Sequence, residues 1–157
     1  MKIFNENAIV KSNKLIADNV YEAFIYSPKI SEISKPGQFI NILPSDSWPN
    51  MMRRPMSIAS QKDNKISIIY KVFGEGTDIM SKWRVGEEVD IIGPLGNTWN
   101  RYEKQYPILI GGGVGIAPIL NLHNHLNKLS IKHSLICGAQ RKDEHFLNHN
   151  PDKNIFL

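Results

Sequence analysis

Over the first hundred positions, apolar residues fall in short, closely spaced runs separated by turn residues. Lys2–Val10 and Lys14–Tyr26 read as strands. In the second, Val20, Glu22, Phe24 and Tyr26 share one face, and Tyr21, Ala23 and Ile25 share the other. Pro28–Pro36 reads as a polar connection. Gly37–Leu43 is a short strand opened by Pro36-Gly37, and a Pro/Ser/Asp loop carrying Trp48 follows. Met51–Ala59 runs through Arg53-Arg54-Pro55 into apolar residues. Lys65–Phe73 is a strand whose apolar residues mostly run together. Gly74-Glu75-Gly76-Thr77 breaks it and opens a helix from Asp78 to Trp83. Val85–Glu88 turns into the strand Val89–Ile92, and Gly93–Asn97 is a further turn. Short strands at close spacing with one short helix predict a small antiparallel barrel.

Around Tyr102–Pro107 the pattern changes. Strand Ile108–Ile110, helix Ala117–Leu129, strand Ser134–Cys137, a polar helix near Lys142–Leu147 and Ile155–Leu157 read as β-α-β-α-β. A doubly wound sheet has about five or six strands, so this reads as a half-domain. The predicted fold is an antiparallel β-barrel over residues 1–103, followed by a truncated Rossmann-like α/β domain over 104–157. The last strand of the unfinished sheet leaves an open edge, from which instability or association is expected.

With 157 residues, 41% of them hydrophobic, the chain can bury a real core. The charge of +4 comes from scattered Lys and Arg with no aromatic-interleaved stripe, which argues against nucleic-acid binding. The single cysteine, Cys137, lies in an apolar strand and reads as a buried structural residue. It excludes an internal disulfide and any all-cysteine cluster, and fits a reducing cytoplasm. Residues 1–25 lack a signal peptide's apolar core. Ile108–Leu122 is too short and too glycine-rich to span a bilayer, so no membrane partner is expected.

The chemistry concentrates in three places. Gly111-Gly112-Gly113-Val114-Gly115-Ile116-Ala117-Pro118 carries a strand through glycines into a helix. Glycines let the backbone approach a pyrophosphate, and the helix start offers unpaired N–H groups. The spacing departs from G-x-G-x-x-G, and a tight ligand-free turn is the other reading. Arg54-Pro55-Met56-Ser57 offers a guanidinium for a phosphate, a rigid proline, and a hydroxyl for a polar ring edge. Its alternative is a surface arginine pair leading into an ordinary strand. Gly74–Thr77 before a helix is a second anion site or a plain N-cap. Elsewhere, His145 and His149 could share a helix face as a metal pair, but no third ligand is evident, so no metal site is expected. His123 and His125 point to different sides of their helix. Trp83 and Trp99 read as barrel packing, and Trp48 as exposed. The carboxylates read as solvated, and no residue is singled out as catalytic.

Gly37-Gln38-Phe39, Arg53–Ile58, Tyr70–Thr77, Gly93–Asn97 and Gly111–Pro118, taken in order, resemble the ferredoxin-reductase-type flavoproteins. Within them the chain is most similar to the electron-transfer subunits of NAD-dependent, class B dihydroorotate dehydrogenases. The resemblance implies an FAD-binding barrel followed by an NAD-binding α/β domain. It places Arg54 on an FAD phosphate and Pro55, Met56 and Ser57 along the isoalloxazine side. Met56 stands where more distant relatives have Tyr. Ile69, Tyr70 and Lys71 would lie along FAD, and Gly76 and Thr77 on its pyrophosphate. Gly111, Gly112, Gly113, Gly115, Ala117 and Pro118 would face the nicotinamide nucleotide.

The activity implied is electron transfer between NAD(H) and a catalytic, FMN-containing dihydroorotate dehydrogenase subunit, in a hetero-oligomer serving pyrimidine biosynthesis. Related subunits serve other systems with the same motifs. Full-length relatives carry a cysteine cluster for a [2Fe–2S] centre; its cysteines are absent here, and the chain reads as a truncated product or fragment. A stand-alone flavin reductase and a flavin-free binding module are the alternatives.

Overall fold

The computed structural model describes residues 2–46, 52–102 and 105–157. Trp48 and the 103/104 boundary lie outside them. Strand β1 (Phe4–Ala17) is continuous where the sequence predicts a break. The chain reverses only at Asp18-Asn19, where Asn19 takes a φ of 56°, a left-handed conformation that Asn tolerates. Strand β2 (Val20–Tyr26) then turns Ala23 and Ile25 into the core. With β3 (Phe39–Ile42), β4 (Arg54–Lys62), β5 (Lys65–Lys71) and β6 (Glu88–Leu95) it forms a closed antiparallel barrel ordered β1-β2-β5-β4-β3-β6. The apolar run in β5 now has a reason. Ile66, Ile68 and Tyr70 fill the barrel, while Ile69 is buried on its outer face. β6 continues through Gly93-Pro94 where a turn is expected. A Cβ on Gly93 would stand 2.7 Å from Ile40 Cγ2, so only glycine lets the strands approach this closely.

Helix α1 (Pro28–Ile33) replaces the predicted polar connection and packs Ile30 against the barrel core. Its cap comes from far away in sequence, which hides it from local reading. Glu6 on β1 accepts from Lys29 N at 3.2 Å, from Ile30 N at 3.1 Å and from the Ser27 hydroxyl. Helix α2 (Glu75–Ser81) links β5 to β6. Trp83 is buried in the core, as expected of barrel packing, whereas Trp99 lies against Gly37 and is exposed.

Strand β7 (Ile108–Gly112), helix α3 (Ile116–Lys128), strand β8 (Ser134–Gly138) and strand β9 (Ile155–Phe156) form the α/β part, a parallel sheet ordered β7-β8-β9. The second crossover is not the predicted polar helix. It holds only single 3₁₀ turns at Lys142–Glu144 and Pro151–Lys153, and Arg141 pairs with Asp143 and Glu144 across the first of them. His145 and His149 therefore share no helix face, and the described residues contain no group of three potential metal ligands. No described helix is long and apolar enough to cross a membrane.

Beyond α3, two histidines meet. His133 Nδ1 donates to Ile131 O at 2.7 Å, since a carbonyl can only accept. His133 Nε2 then accepts from His123 Nδ1 at 2.7 Å, and His123 Nε2 accepts from Asn127 at 3.1 Å. His123, donating through Nδ1 and accepting at Nε2, is neutral in this arrangement. Burial, and then the neighbouring His133, hold the His123 pKa below its ordinary value.

Glu6→Ala strands two helix donors and should cost about 1–3 kcal/mol in urea unfolding. The His123 shift makes the unfolded chain the better proton acceptor. Its stabilising contribution is full above the ordinary histidine pKa and is lost as pH falls toward the depressed folded value. The melting temperature should therefore drop between pH 7 and 5, and less steeply in His123→Gln.

Candidate functional site

Arg53 and Arg54 are adjacent but do different work. Arg53 pairs with Asp90 on β6 and donates to Asp90 O at 3.2 Å, so it braces the barrel. Arg54 has no carboxylate partner among the described residues; its guanidinium donates to Met52 O at 3.1 Å. It lies over the first turn of α2. A Cβ on Gly76 would be 2.9 Å from Arg54 Nε. Arg54 and Gly76, 22 positions apart in the chain, are thus brought together. The Thr77 hydroxyl is already used within its own turn. It accepts from Phe73 N at 2.9 Å and Gly74 N at 3.2 Å and donates to Gly74 O. The turn's remaining donors to a ligand are backbone N–H groups.

Along β4, alternation separates the next residues. Met56 shares its side with Ile58 and packs against the barrel core, whereas Pro55 and Ser57 share the outer face with Ala59. Pairing between β4 and β5 stops at Ile58 and Ile68. Past that point the strands part, leaving Ser57 on one lip and Ile69–Lys71 on the other. The side chains of that second lip are committed elsewhere. Ile69 lies under α3. Tyr70 is buried and donates to Asn13 at 2.9 Å, and burial pushes its phenol pKa up. Lys71 pairs with Glu144 at 2.8 Å. What these residues offer a ligand is mainly backbone.

The glycine turn stands opposite. Gly113–Gly115 comes within 8 Å of β5 between Cα atoms, and α3 lies on β4. The glycines sort into kinds. A Cβ on Gly111 would press on Ile116 and Ile119 at 3.0–3.3 Å, so this glycine lets α3 pack on β7. Gly113 has a φ of +53°. Gly112 and Gly115 face open space, where a Cβ would meet nothing closer than 3.9 Å, and the fold does not require glycine at either. Ala117 is buried against Ala59 and Ile69 and acts as packing. Pro118, in the first turn of α3, gives up an N–H that has no intrahelical partner.

Two features of this seam escape the sequence reading. Asn121 on α3 is buried and donates to Ile58 O at 3.0 Å. Arg141 gathers Asp18, Asp143 and Glu144, tying the β8–β9 crossover to the barrel turn. The hydrogen bond from Lys71, with the nearby charges of Lys71, Arg141 and His145, holds the Glu144 carboxyl below its ordinary pKa. Glu6 and Glu144 are buried, against the expectation of solvated carboxylates.

No family model matches the chain. It is 38% identical over 151 residues to the dihydroorotate dehydrogenase B (NAD(+)) electron transfer subunit of Fusobacterium nucleatum, covering 93% of this chain and 58% of that protein. It is 36% identical to the same subunit of Bacillus pumilus, covering 87% of this chain and 55% of that one. The chain is homologous to these electron-transfer subunits. It spans little more than half of their length.

Among solved structures, an NADH-dependent reduced ferredoxin-NADP oxidoreductase described for flavin-based electron bifurcation superposes with a TM-score of 0.84 at 27% identity, over 97% of this chain and 56% of that one. Phthalate dioxygenase reductase, at 17% identity and a TM-score of 0.74 over 98% of this chain and 50% of that one, shares the fold. The barrel followed by a parallel α/β unit is thus the architecture of ferredoxin-reductase-type proteins.

The glycines can be told apart by substitution. Gly111→Ala should cost about 1–3 kcal/mol through the shift forced on α3. Gly115→Ala, at a helical φ with open space, should be neutral or stabilise by up to about 1 kcal/mol. Urea denaturation of the two variants checks the contrast.

Proposed function

We propose that the chain is the FAD- and NAD(H)-binding module of an electron-transfer flavoprotein. The observation that carries this reading is the meeting of Arg54, free of any carboxylate among the described residues, with Gly76 at the start of α2, beside strands that part. The names of the homologous subunits support it. The residues fit a dinucleotide whose pyrophosphate lies on Arg54 and the backbone of Gly76-Thr77. Its ring system would lie along Pro55 to Ser57 and the Ile69–Lys71 backbone. The nicotinamide nucleotide would approach Gly112, Gly113 and Gly115. In this reading 1–103 is the flavin domain and 104–157 the nicotinamide side.

When bound, FAD would supply the hydride and electron-transfer chemistry. The chain's own groups bind and orient. Arg54 neutralises phosphate charge. The Ser57 hydroxyl offers a hydrogen bond to a polar ring edge. The packed barrel wall keeps water off the buried side. Cys137 is the only cysteine and is buried, with burial pushing its thiol to about pKa 11. The chain therefore does not fit a [2Fe–2S] cluster, which needs a set of cysteine thiolates. The partner proposed is a catalytic dihydroorotate dehydrogenase subunit, since the homologues are named as electron-transfer subunits of that enzyme, and the assembly proposed is a cytoplasmic hetero-oligomer.

The test is the visible spectrum of the purified chain after reconstitution with FAD and then addition of NADH. Bound oxidised flavin that bleaches is expected. Folded protein without flavin would overturn the reading. Losing a charge-assisted phosphate contact of about 1.5–3 kcal/mol, Arg54→Ala should weaken FAD binding by about 10–100-fold. Gly76→Ala should push the guanidinium aside and weaken FAD binding while the melting temperature holds or rises, since alanine suits a helix better. Equilibrium titration and thermal melts separate the two effects.

A further inference from the structure

We propose that Asn121 is a positioning residue, which holds the glycine turn at a fixed distance from the β4 strand; the consequence for electron transfer rests on the function proposed above. The barrel meets the α/β part through an apolar patch of Val20, Ala59, Ile69 and Ala117, with Leu120 and Phe146 at its margin. Apolar contact is non-directional and tolerates sliding. Asn121 adds direction. It is 2% exposed, and its side-chain amide donates to Ile58 O at 3.0 Å. The bond falls where β4 slips register against β5, between Ile58 and Ser60. An unpaired amide or carbonyl buried there would be costly, so the helix has one favoured seat.

The bond is well placed to govern geometry. Ile58 directly follows Ser57 on the strand proposed for the flavin. Asn121 lies six residues beyond Gly115, about 9 Å along the helix from the turn proposed for the nicotinamide nucleotide. A shift of α3 on the barrel therefore moves one proposed site relative to the other without disturbing either. Hydride transfer tolerates little misplacement; an error of about 1 Å can cost about a hundredfold. Asn121 touches none of the reacting groups in this arrangement.

The experiment combines distance, protection and rate. Spin labels on Lys62→Cys and Lys132→Cys report the separation of the two parts, and the buried, high-pKa Cys137 stays unlabelled. A narrow distance distribution is expected in the parent and a broad or displaced one in Asn121→Leu, which keeps the branched four-atom outline and removes the donor. In the unsubstituted chain, the Asn121 side-chain amide protons should exchange with solvent at least tenfold more slowly than those of an exposed asparagine. That measurement needs no variant to fold. With FAD bound, Asn121→Leu should lower the limiting rate of bleaching by NADH at least tenfold while half-saturation changes less than threefold. An unchanged distance distribution, or freely exchanging side-chain protons, would overturn the proposal. Absence of flavin binding in the unsubstituted chain would instead overturn the functional reading, with the distance and exchange data still deciding the role of Asn121.

Discussion

The structure depends on the seating of α3 on the outer face of the barrel. Val20, Ala59 and Ile69 project outward from three strands and would be misplaced on a free-standing barrel. Ala117, small enough to let the helix approach, covers them, and Asn121 fixes the register. Around the rim, Arg141 and Glu144 reach Asp18 and Lys71. The apolar patch supplies the bulk of the attraction, and the polar contacts supply its orientation. The two halves of the candidate site come from different parts of the chain, so a site exists only because this seam is made.

Much of this was legible in the sequence, and the exceptions share a cause. The barrel strands, the switch to a parallel β-α-β and the glycine turn are visible because their signals are local: turn residues, runs of apolar side chains and helical periodicity. Helix α1 was missed because its cap comes from Glu6, which no local window contains. The polar helix expected after β8 does not form. In its place Arg141 pairs with Asp18 and Glu144 with Lys71, partners distant in sequence that no local window contains. Asn121 does carry a sequence signal: a polar residue four positions after Ala117, on the face that the helix buries. Read as ordinary variation, it passes unnoticed.

The candidate site shows how a motif mixes jobs that sequence alone cannot separate. Arg53 and Arg54 look equivalent on the page, yet strand alternation sends one to Asp90 and the other over Gly76. Tyr70 lies within a stretch expected to run along a cofactor, and its side chain is buried in the opposite direction. Of the consecutive glycines, Gly111 serves helix packing, Gly113 serves the turn, and Gly112 serves neither. Each distinction rests on which way a Cβ points, and a list of residue types carries no such direction.

The α/β part also cannot be understood apart from the barrel. Its sheet is covered by α3 on one face, where Leu109, Leu135 and Cys137 are buried. On the other face Ile110, Ile136 and Phe156 stand in register across all three strands and are exposed. Helix α3 thus lies between the sheet and the barrel and packs on both. The seam that aligns the proposed sites is therefore formed by the same helix that covers the sheet. Loosening it slightly should disturb geometry before it disturbs the fold, because orientation rests on a few directional bonds and stability on the whole apolar area.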